Sequence, residues 1–299
     1  MSSSYHEIEL RLSKDAAQEL SALLDQNAIQ DLSGYYEVLY DETRPSEEQA
    51  TLMLYFPLDC RDGRWDLEAL LLASGVDRYE ITERTIHQED YQENYKQHYR
   101  PFVVGDSFAI VPSWYKDTED DARFEKRNRI YLDPGLAFGT GLHATSRMMI
   151  RWIEKQDLSN TKIMDAGCGS GILTIAAMRR NAGPLLAFDI DGNAVHATRS
   201  NLALNFEPDD LAAVTVLKGG WDLPAIAEYQ PEITLANITL NVFRQAREQV
   251  SNLPSRILVV SGIIEEQKEE FLSEFPMWQL ESEMEDDGWL VMEFSRKRD

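Results

Sequence analysis

TKIMDAGCGSGILTIAAMRRN, Thr161–Asn181, is the stretch on which the reading of this chain turns. Ile163 and Met164 begin an apolar strand that ends at Asp165. Gly167, Gly169 and Gly171 follow at alternate positions, and good helix formers come directly after them. Glycines so placed let the backbone curl under a ligand without Cβ clashes, at the positive end of a helix dipole. A nicotinamide dinucleotide turn reads GxGxxG, a spacing that seats a pyrophosphate. Here the pattern is DxGxGxG, with no match to that last three-residue step. An acid at the strand end suits a cationic amino group better than a phosphate. The turn therefore points to S-adenosylmethionine before NAD, with Gly167, Gly169 and Gly171 as cofactor-binding positions. A βα turn without any ligand is the bland alternative.

Downstream, strands and helices alternate: LLAFDI, GNAVHATRSNLALN, AAVTVLKG, EITLANI, a helix around Val242–Asn252, RILVVSG and a helix around Glu265–Phe275. Repeated strand–helix units imply a doubly wound α/β sheet that binds ligands at the carboxyl ends of its strands. Two strands joined by EDDG, a hairpin turn, add an antiparallel edge. Asp189 ends LLAFDI, 22 residues after Gly167, where an acid can accept both ribose hydroxyl hydrogens. Asp191 reads as the cap of the next helix. Asn237 ends EITLANI and needs a polar partner or water. Its side-chain oxygen can accept a hydrogen bond from an amine nucleophile, while capping a loop is the bland reading.

Upstream lies DPGLAFGTGLHATS, Asp133–Ser146, and the two clusters together hold six of the sixteen glycines. Thr145 and Ser146 open a helix, and their hydroxyls can cap it or hydrogen-bond the methionyl part of a cofactor. The FGTGLH loop is expected to close over the methyl donor. His143 has no partner evident in sequence, so a structural role is expected before a general-base role. Cys168 is expected to fill the turn without reacting; His196 and Trp221 carry no readable role.

Residues 1–86 read as strand–helix–strand–strand–helix–strand, the order of a ferredoxin-like module. Residues 87–100 carry Tyr91, Tyr95 and Tyr99 four apart, on one face of a connector helix that Pro101 ends. Residues 101–299 then form the α/β domain. Across all 299 residues, 29 Lys and Arg stand against 52 Asp and Glu, a formal charge of −23. Such a surface is expected to repel nucleic acid and anionic lipid and to attract a basic partner, with acidity that only serves solubility as the bland alternative. The N-terminus has no secretory pattern, and no apolar run approaches the ~20 residues that span a bilayer. Two cysteines distant in sequence and no metal-ligand spacing suggest free thiols, a cytoplasmic setting and no metal site.

DPGLAFGTGLHATS, DAGCGSGILTIAA, FDIDGNAV and LANI, in this order and spacing, resemble the PrmA family, bacterial methyltransferases of large-subunit ribosomal protein L11. The resemblance extends to SGIIEEQ and the DGWLVMEF hairpin. It implies a Rossmann-like class I methyltransferase domain, a linker helix, and a small N-terminal domain for substrate recognition. It also implies cofactor contacts at Gly167, Asp189 and Asn237 and at the hydroxyl position of Thr145-Ser146. Family members often carry two threonines there; serine keeps the hydroxyl. The implied reaction moves methyl groups from S-adenosylmethionine to lysine or N-terminal amines, with Asn237 aligning the amine. The expected partner is the free, basic ribosomal protein, met by a monomeric enzyme that binds no nucleic acid or membrane. A protein-lysine methyltransferase of another substrate, or a non-catalytic cofactor-binding module, are the alternatives.

Overall fold

A computed structural model of the chain describes residues 4–25, 29, 32, 34–37, 49–58, 60, 63–87, 99–116, 124–133 and 139–297. The chain divides into two units, Met1–Arg100 and Pro101–Asp299.

In the first unit, apolar–polar alternation produces β1 (Ser4–Ser13), followed by α1 (Lys14–Asp25), β2 (Gly34–Glu37), β3 (Gln49–Pro57), α2 (Gly63–Ala73) and β4 (Glu80–His87). The sheet is antiparallel with order β2-β3-β1-β4, the ferredoxin-like arrangement read from the sequence. Ile8, Leu10 and Leu12 meet Leu52, Leu54 and Phe56, and under them lie Leu20, Leu24, Leu67 and Leu71. Every second residue of the strands thus serves one buried face. Most of the connector expected over 87–100 lies outside the described residues.

The second unit opens with β5 (Phe102–Val104), β6 (Phe108–Pro112) and β7 (Asn128–Leu132), a three-stranded sheet of its own. The short β5 has no counterpart in the sequence reading. Next come α3 (Ala144–Lys155), β8 (Ile163–Ala166), α4 (Ile172–Arg179), β9 (Leu185–Asp189), α5 (Gly192–Asn205) and β10 (Val214–Lys218). The chain continues through α6 (Pro224–Tyr229), β11 (Ile233–Asn237), α7 (Leu240–Gln245), α8 (Arg247–Ser251), β12 (Ile257–Ile264), α9 (Lys268–Glu274), β13 (Trp278–Asp286) and β14 (Trp289–Arg296). The single helix expected around Val242–Asn252 is two short ones that meet at Ala246.

The large sheet has order β10-β9-β8-β11-β12-β14-β13. Its first five strands are parallel; β14 runs antiparallel to β12, and β13 antiparallel to β14. Asp287 and Gly288 join the last two strands, both at positive φ, as a two-residue hairpin of this twist requires. The central strands are buried on both faces and so read as apolar runs. Phe243, Phe271, Phe275 and Phe294 pack together on one side of the sheet.

Candidate active site

Sequence order reverses between β8 and β11, and such switch points form crevices at the carboxyl ends of parallel strands. Ala166 of β8 pairs with Phe188 of β9 on one side and Ala236 of β11 on the other. The next residue on each strand is Asp189, Gly167 and Asn237, so all three stand abreast at the rim. With strands about 4.8 Å apart, Asp189 and Asn237 flank Gly167 across roughly 10 Å.

Gly167, Gly169 and Gly171 sit at φ of 72°, 52° and 81°, a region that disfavours side chains. The turn closes on itself. The N–H groups of Gly167 and Cys168 donate to the Phe188 carbonyl at 2.9 and 3.0 Å, and Gly171 N–H donates to the Cys168 carbonyl at 2.7 Å. Gly169 N–H donates to Asp189 Oδ2 at 3.0 Å. A pyrophosphate cradle needs such N–H groups aimed outward; here four are consumed internally. The Gly167 carbonyl accepts no hydrogen bond among the described residues.

Asp189 is held at both oxygens, because Asp191 N–H donates to Oδ1 at 2.9 Å. Each oxygen keeps acceptor capacity for a hydroxyl. Beside it Ile190 is 73% exposed, an apolar shelf that the sequence reading passed over. Asp191 caps α5 by accepting from Asn193 N–H, as expected. Asp165, the acid suggested for a cationic group, is buried and accepts from the Thr174 hydroxyl and N–H at 2.6 and 3.1 Å. Burial pushes its carboxyl up to about 6. It ties down the first turn of α4 and reaches a ligand through its field alone. Burial also raises the Cys168 thiol well above its ordinary value, and Thr198 donates to its sulfur, so it is inert filling.

The two glycine clusters touch. Ser170 donates its hydroxyl to the Gly139 carbonyl at 2.6 Å. Pro134–Phe138, part of the loop expected to cover the methyl donor, lie outside the described residues. The helix cap differs from expectation: His143, not Thr145 or Ser146, is the N-cap of α3, with Nδ1 accepting from Thr145 N–H at 3.4 Å and lying 2.7 Å from Thr145 Oγ1. The Thr145 hydroxyl is thereby committed. Ser146 Oγ is fully buried and has no hydrogen-bond partner among the described residues.

His143 also packs edge-on against Trp289. Burial, with Arg147 nearby, lowers its pKa to about 4, so it is neutral near pH 7 and structural. The unfolded chain binds its proton near pH 6.5, which makes this residue's contribution fully present above that pH and lost as pH falls towards 4. The melting temperature of the wild type should therefore fall more steeply between pH 7 and 4.5 than that of His143→Gln. Parallel curves would refute the assignment.

Asn237 is half-buried, and its side chain makes no hydrogen bond among the described residues. The following residue is clamped: a Cβ on Gly167 would meet Ile238 Cγ2 at 2.5 Å, and one on Gly262 would meet the Ile238 carbonyl at 2.6 Å. Thr239 is the N-cap of α7, and Asn241 accepts from Arg244 at 3.3 Å. Trp221, unread in sequence, packs edge-on against Phe188 beneath the rim.

These groups fit S-adenosylmethionine. Acceptors for hydroxyls and an ammonium stand at Asp189 and the Gly167 carbonyl, Ser146 offers a buried hydroxyl without a partner among the described residues, and four N–H groups of the turn are closed to phosphate.

Comparison with known proteins points the same way. Residues 4–297 match the family described as ribosomal protein L11 methyltransferase (PrmA). A ribosomal protein L11 methyltransferase of Leptospira interrogans serovar copenhageni is 32% identical over 304 residues, covering 98% of this chain and 99% of the relative. One from Polynucleobacter necessarius is 33% identical over 324 residues, covering 99% and 94%. A crystal structure of ribosomal protein L11 methylase from Lactobacillus delbrueckii subsp. bulgaricus has a TM-score of 0.58 at 28% identity, covering 67% of this chain and 100% of that one.

Proposed function

The chain belongs to the ribosomal protein L11 methyltransferase family, and on that premise we propose that it methylates lysine side-chain or N-terminal amines of free L11. S-adenosyl-L-methionine is its methyl donor, supplying a methyl group on a sulfonium that an amine lone pair can displace. The observation that carries the reading is the row Asp189, Gly167, Asn237 at the switch point. In this reading Asp189 holds the ribose hydroxyls, the Gly167 carbonyl the amino group, and Ser146 the methionyl end. Gly169 and Gly171 shape the turn, and Thr145 supports Ser146 through His143.

A lysine amine with pKa near 10.4 is neutral about once in a few thousand molecules at pH 7. The site must therefore favour the neutral form by desolvation, and carbonyl acceptors must aim its lone pair. Asn237 Oδ1 is the uncommitted acceptor at the right strand end. The proton leaves to water before attack, so no strong base is needed. Mass spectrometry of L11 from cells with and without the gene tests the proposal: loss of methyl mass supports it, and unchanged L11 sinks it.

Residues 1–86 serve as the substrate-recognition domain, with 87–100 as linker and 101–299 as the catalytic domain. Support comes from α2, where Trp65 and Leu72 are 70% and 80% exposed, with exposed Ala69 on the same helical face. Residues 1–86 carry seven Lys and Arg against eighteen Asp and Glu, which suits a basic protein. Trp65→Ala combined with Leu72→Ser should raise KM for L11 about ten-fold, with cofactor affinity unchanged. An unchanged KM would remove α2 from the docking surface. The same acidity favours free L11 over RNA-coated subunits and fits a monomer in the cytoplasm without nucleic-acid contact. No helix among the described residues is long and apolar enough to cross a membrane.

A further inference from the structure

Two fully buried polar side chains join the stretch entering α3 to the glycine turn. Asn201, in α5, accepts from Asp133 N–H at 2.8 Å and donates through Nδ2 to the Ser170 carbonyl at 2.9 Å and the Asp133 carbonyl at 3.4 Å. Ser170 sends its own hydroxyl to Gly139, as described above. Both side chains are 0% exposed. Asparagine is a poor residue for a helix interior, and a buried amide is tolerable only when its groups are matched. All of this amide's oxygen and hydrogen functions are used, and every bond goes to a segment flanking the site.

We propose that Asn201 and Ser170 are positioning residues that set the Ser146 hydroxyl in register with Gly167 for cofactor binding. The proposal rests on the cofactor reading given above. Transmission is steric and stepwise. Gly139 lies so close to Ser170 that a Cβ there would meet Oγ at 3.0 Å, and one on Gly141 would meet Ile172 Cδ1 at 2.8 Å. Beyond Gly141, Arg147 donates to the Leu142 carbonyl and His143 caps α3. The chain from Gly139 to Ser146 is thus fixed at successive points. A shift at Ser170 is passed along these contacts to Ser146.

Ser170→Ala removes a single oxygen, which makes it the cleaner variant; Asn201→Ala and the double variant accompany it. The readouts are titration calorimetry with S-adenosylmethionine, steady-state kinetics and melting of the ligand-free protein. Ser170→Ala should weaken cofactor binding about ten-fold and raise KM for the cofactor more than it lowers kcat. The double variant should be weaker than either single one by far less than the product of the two effects, because each breaks the same linkage. Cofactor affinities within two-fold of wild type, whatever the melting temperature does, would overturn the proposal. Independent, multiplying effects would overturn it as well. A wild-type protein that binds no S-adenosylmethionine would instead refute the underlying cofactor reading, and the proposal with it.

Discussion

Asn237→Ala should lower kcat for L11 methylation about 100-fold and change cofactor affinity by only a few-fold. The magnitude is what a small misalignment of reacting atoms costs. The carboxamide ends β11, is half-buried and is unspent within the described residues, so its removal orphans no other group and the protein keeps its stability. In the proposed mechanism the acceptor that aims the amine is lost. Asn237→Asp separates alignment from shape. An anion there favours the ammonium form, which has no lone pair, so this near-isosteric variant should be no more active than alanine. Single-turnover kinetics with saturating cofactor read both effects. If Asn237→Ala weakens cofactor binding as much as it slows turnover, the residue belongs to the cofactor and not to the amine.

Asp189→Ala acts on the opposite flank of the row and in the opposite way. The two hydroxyl hydrogen bonds proposed for this carboxylate, each worth about 1.5–3 kcal/mol, predict a loss of cofactor affinity of roughly 100-fold or more. The same change releases Gly169 N–H and Asp191 N–H, which the carboxylate accepts in the free protein, so the turn loses preorganisation too. Asp189→Asn keeps an acceptor and should fall between alanine and wild type. Calorimetric titration with S-adenosylmethionine decides it. Near-wild-type affinity for Asp189→Ala would place the ribose elsewhere.

The turn, Asp189 and Asn237 were legible in the sequence because each is local: a residue at the end of an apolar strand keeps its meaning without knowledge of the neighbours. The sheet followed from alternation, and the hairpin from its turn residues. What escaped depends on contacts between distant segments. Which hydroxyl of Thr145-Ser146 is free turns on the direction of the His143 ring. Trp221 gains its role from Phe188 and Phe243, and Ile238 from Gly167 and Gly262. Asn201 did leave a trace: NLALN places two poor helix formers four apart inside a helix, which signals partners off the helix.

The second of that pair completes the pattern. Asn205 accepts from Tyr131 N–H at 2.9 Å and donates to the Tyr131 carbonyl at 2.6 Å, as Asn201 does two residues on at Asp133. Two amides on one helix therefore present to β7 the spacing of donors and acceptors that a neighbouring strand would. β7 is the last strand of its sheet among the described residues, and exposed edges of that kind recruit strands from other molecules. With the outward groups of Tyr131 already answered by a helix, that part of the edge is closed to a strand from another molecule. Replacing both asparagines by leucine would keep the helix and uncover the edge, trading a folding device for a route to aggregation.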